Sequence, residues 1–199
     1  MATRRQFLEG AIAATATASM LAPGVVTALG TGVRGSSLEI GFGVFDERFA
    51  AGHIFADELH RHAVRTAAIS GRVHAVWNDE LHARWRDAKT PTVGITDARS
   101  LFLLEMMAAD AGLRVIHRAH HIGIETTSSV QHHLYGPLAR RNERVALLAQ
   151  EPSDWARQAA RIVRNWPNAD RTISAQGSTI LEARQQALDE KALISWIIC

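Results

Sequence analysis

With 199 residues, 47% of them hydrophobic and 21% charged, the chain has the composition of a globular protein and is long enough for one substantial core. A net charge of +2 without any basic stripe argues against nucleic acid as a partner. A single cysteine, Cys199, excludes an internal disulfide, and its place as the last residue excludes a prenylation box.

The first stretch, MATRRQFLEGAIAATATASMLAPGVV, has three parts. Thr3 precedes Arg4 and Arg5, one further residue precedes Phe7 and Leu8, and from Gly10 to Val33 nothing is charged. An uncharged run of this length would ordinarily suggest a membrane span. Pro23-Gly24 interrupts it, however, and Ala and Thr leave it only mildly apolar. A basic start, a modest apolar middle, and small residues at Ala16-Thr17-Ala18 or Val26-Thr27-Ala28 describe a cleavable export signal over residues 1–30. Thr3-Arg4-Arg5-Gln6-Phe7-Leu8 resembles the twin-arginine (Tat) consensus, and the leader is similar to those of Tat-exported proteobacterial proteins. The resemblance implies a periplasmic or otherwise exported protein, read by the twin-arginine translocase through Arg4, Arg5, Phe7 and Leu8. It also implies folding before export, either around a cofactor or metal or together with a co-exported partner such as a redox enzyme. Membrane contact is expected only through a leader that stays uncleaved.

Residues 31–199 are expected to form one α/β domain. A short apolar strand over 38–45 ends at Asp46, which offers a carboxylate to cap the helix that follows over 47–62. A second strand spans 64–69 and is broken by Ser70-Gly71. Val73, Trp77, Leu81 and Trp85 recur every four residues, as one face of a helix does. A third strand over 92–96 leads through Asp97 into an apolar helix around 101–107, closed by Gly112 in the left-handed conformation. A fourth strand follows at 113–117. Strand and helix alternate three times, which predicts a mainly parallel, doubly wound, Rossmann-like sheet with helices on both faces. Beyond it, 116–135 can hold a hairpin, Gly136-Pro137 opens a helix, and Ser153 caps another carrying Trp155, Ile162 and Trp166. Thr179 and Glu182 form a capping box, and 193–198 reads as a last apolar strand, better buried than offered to a partner. The tryptophans Trp77, Trp85, Trp155, Trp166 and Trp196 read as core. Glu105 reads as the solvent edge of its helix.

Ligands of an open parallel sheet bind beyond the carboxyl ends of its strands. Those ends carry Asp46, Ser70 and Thr96-Asp97, with Arg99 and Ser100 on the next helical turn. Asp46 and Asp97 form a candidate carboxylate pair for acid–base work, and helix amides with Ser70, Thr96, Arg99 and Ser100 suit an anion. Capping alone also accounts for both aspartates. Gly41-x-Gly43 fails as a dinucleotide fingerprint, because Asp46 stands where its third glycine belongs. No P-loop and no nucleophile elbow occur. Among ten histidines, His120-His121 and His132-His133 form two pairs. A hairpin centred on Thr126-Thr127 sets His120 opposite His133 and His121 opposite His132, one pair on each face. Two imidazoles are half of a zinc or copper site, to which Glu125 or Asp110 could add. Exposed histidines on a polar strand are the plainer explanation. Three classes of function follow: an exported binding or accessory protein, a metal-binding protein using His120, His121, His132 and His133, or an enzyme acting at Asp46, Thr96, Asp97 and Arg99.

Overall fold

The computed structural model describes residues 36–123, 130–135, 144, 146–149, 152–169 and 192–199. Six strands form one sheet: β1 (Phe42–Asp46), β2 (Thr66–Ile69), β3 (Thr92–Thr96), β4 (Val115–Ile122), β5 (Gln131–Tyr135) and β6 (Ala192–Ile198), in the order β2-β1-β3-β6-β4-β5. β1 pairs with β2 and β3 in parallel, whereas β3/β6, β6/β4 and β4/β5 are antiparallel. The expected mainly parallel, Rossmann-like sheet is therefore corrected to a mixed one. β1 to β4 still run in one direction, but β6 enters between β3 and β4 and separates them. All seven residues of β6 are buried. A strand covered on both faces shows no apolar–polar alternation to betray its place in the sheet.

Helices cover both faces. On one lie α1 (Ala50–His60) and α5 (Trp155–Arg164), whose Phe55, Leu59, Ala159 and Val163 join Leu193 and Ile197 of β6. On the other lie α2 (His74–Val76), a π-helical turn (Trp77–Leu81), α3 (His82–Arg86) and α4 (Ala98–Asp110). Their Val76, Leu81, Trp85, Leu101 and Leu104 join Ile194, Trp196 and Ile198. The two cores are thus held together by the alternating side chains of one strand. Trp196 packs closely on β3. A Cβ on Gly94 would fall 2.3 Å from its Cζ2, so only glycine admits the ring there.

Local chemistry departs from expectation at a few places. α1 begins later than predicted, after Phe49, and has no side-chain cap. Asp46 instead holds the loop, accepting the Arg48 N–H at 3.2 Å. The Asp97 cap on α4 is present, with Oδ1 accepting the Ser100 N–H at 2.7 Å, and Gly112 closes that helix at φ +73°. Ser153 lies in a 3₁₀ turn (Pro152–Asp154), and α5 starts after Asp154 without a side-chain cap. Glu105 is not at the solvent edge but pairs with Arg118 of β4. All the tryptophans except Trp77 are buried, and Trp77 is half-buried against Trp85. The leader, the Thr126-Thr127 turn with Glu125, the start of the Gly136-Pro137 helix and the Thr179–Glu182 box lie outside the described residues. Among the described residues no helix is long and apolar enough to cross a membrane.

Candidate functional site

β1, β2 and β3 end at one edge of the sheet. β1 sits between the other two, with α1 leaving it toward one face and α4 leaving β3 toward the other. The crevice between the ends of β1 and β3 is where such a sheet leaves room for a ligand. Both predicted carboxylates are there. Asp46 is fully buried at the last position of β1, and Asp97 follows β3 as the cap of α4. Sequence reasoning missed what joins them. Arg48 donates from Nε to Asp46 Oδ1 at 2.8 Å, and from Nη2 to the Oδ2 atoms of Asp46 and Asp97, each at 2.5 Å. Two oxygens each 2.5 Å from one nitrogen lie within 5 Å of one another. The aspartates are therefore a true pair, bridged by a guanidinium.

The surroundings fix that guanidinium. Gly71, with φ +79°, leaves its side open, since a Cβ there would sit 2.8 Å from Arg48 Cζ. Arg48 is 42% exposed, so one flank faces water, beside the exposed Ser70. Burial pushes the Asp97 carboxyl up, but the Ser100 amide and Arg48 more than offset this and hold it below the ordinary carboxylate range. Hydrogen bonding to Asp46 keeps Arg48 charged, against some desolvation. An ionised carboxylate engaged by a permanently charged partner orients and binds; it does not readily exchange protons. Of the remaining predicted residues, Arg99 is exposed on the first turn of α4. Thr96 and Ser100 are buried, and the Thr96 hydroxyl accepts the Trp196 indole N–H at 3.0 Å.

The histidines reach the same edge two strands further along. Thr96 pairs with Ile194, Ile194 with His120, and His120 with His133, so the level of β3's end continues across β6 into the hairpin. The predicted register holds: His120 faces His133 and His121 faces His132. His121 and His132 meet, Nδ1 to Nδ1, at 2.8 Å, while His121 Nε2 meets Ser195 Oγ of β6 at 3.0 Å. Trp155 of α5 lies over them, its ring 4.5 Å from that of His121 and 5.7 Å from that of His132. Burial pushes the His121 imidazole well below its ordinary value, with His132, His117 and His120 adding to the effect. Burial likewise takes His132 down to about 4, with His133 contributing. His120 belongs to the other face, where its ring packs on Tyr135 at 5.1 Å, and His133 is exposed. The four predicted ligands thus separate into a close pair and two residues behind it. Asp110 ends α4 at the opposite end of β4. Among the described residues no three His, Cys, Asp or Glu converge on a common point.

Two hollows lie elsewhere. One, of about 320 Å³, is lined by Arg144, Gln158, Arg161 and Asn165; the other, of about 630 Å³, lies at the start of β1 between Leu38 and Lys89. None of the predicted site residues lines either. Comparison with protein-family models, with curated proteins and with solved structures gave no match.

Proposed function

We propose that the chain is a twin-arginine-exported, single-domain α/β binding protein that takes a small anionic ligand in the crevice between β1 and β3. The observation that carries this reading is the Asp46–Arg48–Asp97 bridge. Two carboxylates, one ending β1 and one following β3, hold one arginine at the position where a sheet of this kind receives ligands, and leave Nη1 without a hydrogen bond among the described residues. The open flank of Arg48 and the exposed Arg99 favour a carboxylate or phosphate group. Engagement of both aspartates favours binding over acid–base turnover at Asp46 and Asp97. A co-exported redox enzyme would be the recipient of such a ligand or the body on which the protein docks.

The test is thermal stability and calorimetry of the full chain against inorganic phosphate, sulfate, and a series of mono- and dicarboxylates. At least one anion is expected to raise Tm in a saturable way, as a ligand binding only the native state must. Arg48→Lys keeps the charge beside Asp46 but loses the planar fork, and should weaken that anion about tenfold or more. No saturable response to any anion, or an unchanged affinity in Arg48→Lys, would contradict the assignment.

A further inference from the structure

We infer that His121 and His132 form a binding site for one monovalent copper ion, independently of the crevice at Arg48. Two ring nitrogens point at one another across the β4/β5 ladder at 2.8 Å. A hydrogen bond between them uses one Nδ1–H and one Nδ1 lone pair. Ser195, buried under α5, holds the far nitrogen of the His121 ring, with Oγ 3.0 Å from Nε2. The His121 ring is therefore held in one orientation with Nδ1 aimed at His132 Nδ1. A buried partner on the far nitrogen is the arrangement that orients metal-bound imidazoles. When a cation takes the place of the bridging proton, that proton moves to Nε2 of the ring that carried it. No net proton is released and nothing is oxidised or reduced.

The ligand set selects the ion. An imidazole donor carries no negative charge, and no carboxylate or thiolate among the described residues joins the two. Two neutral donors in a buried site cannot offset a double charge well, and a zinc site asks for four ligands. Imidazole suits copper, and Cu(I) carries one charge and accepts low coordination. Trp155 supplies a ring face beside both imidazoles, which attracts a cation and keeps water away. Two metal–nitrogen bonds of about 2 Å in line set their nitrogens about 4 Å apart, so the pair must part by roughly 1 Å from its present 2.8 Å. Among the described residues β5 is the last strand of the sheet, with only β4 beside it, so His132 can make that shift.

The experiment delivers Cu(I) anaerobically, with ascorbate, to the full chain in competition with a coloured Cu(I) chelator. Copper retained per chain and tryptophan emission are then measured. The native protein should keep one Cu(I) with quenched emission. His132→Ala should lose it, by at least tenfold in affinity. His133→Ala, on the same strand but the other face, should bind as the native protein does. Trp155→Phe should keep the stoichiometry and lose most of the quenching. Failure of the native chain to retain Cu(I), retention by His132→Ala, or equal loss in His133→Ala would each overturn the proposal. Circular dichroism of each variant separates loss of the site from loss of the fold.

Discussion

Trp196→Ala is expected to destabilise the domain by about 3–5 kcal/mol, the usual cost of removing a buried indole. That is a large part of the 5–15 kcal/mol by which a domain of this size is ordinarily stable. The ring is fully buried in the middle of β6, lies against Gly94, and donates to Thr96 Oγ1 at 3.0 Å. Its removal opens a cavity under α4 and leaves the Thr96 hydroxyl without its donor. Trp196→Phe should keep most of the packing and lose mainly the hydrogen bond, about 1 kcal/mol, with some cavity cost added. Urea unfolding of the three proteins checks the order native, Phe, Ala. An Ala variant within 1 kcal/mol of native would mean that β6 does not occupy the central slot.

Acid should destabilise the fold well before its carboxylates titrate. His117 is fully buried on Trp166, rings 4.6 Å apart, and burial with the nearby Arg144 takes it from the ordinary 6.5 down to about 3. The unfolded chain binds a proton there between those values and the native chain does not, so stability is full above about pH 6.5 and falls as pH drops toward 3. At pH 5 His117 alone costs about 2 kcal/mol. His121 acts in the same direction, and the less buried His132 adds a smaller share. Asp97 and Glu58, both held below the ordinary carboxylate range, contribute their losses at still lower pH. Tm should therefore be level from pH 8 to 7 and fall by roughly 5 °C or more by pH 5. His117→Phe, which fills the same space beside Trp166 without a titrating group, should flatten that fall. A native Tm that is unchanged between pH 7 and pH 5 would contradict this picture of the buried imidazoles.

The elements that could be read from the chain were those whose signals are local. The third strand runs over 92–96 as expected, because it is bounded by Pro91 and by the Asp97 cap. The hairpin register was legible for a similar reason: two histidine pairs at equal distance from Thr126-Thr127 leave one symmetric pairing. What could not be read depends on long-range choice. A strand buried at every position, such as β6, fits a parallel or an antiparallel slot equally well, and its place between β3 and β4 is decided by packing with both cores. Arg48 resembled any polar loop residue, since its bond to Asp97 spans 49 positions. The only local hint was its spacing, two residues after Asp46. Ser195 lies 74 positions from His121, and Glu105 met its partner only once β4 lay beneath α4.

Export of the folded domain is the claim that joins the leader to the body, and one fractionation tests it directly. The full chain is expressed in a bacterium with a functioning twin-arginine translocase, beside a variant with Arg4→Lys and Arg5→Lys, which preserves the positive charge. The native chain should be recovered from the periplasmic fraction, shortened by about the length of the leader, and the double variant should remain in the cytoplasm at full length. Equal export of both, or retention of both, would contradict export of this domain by the twin-arginine route.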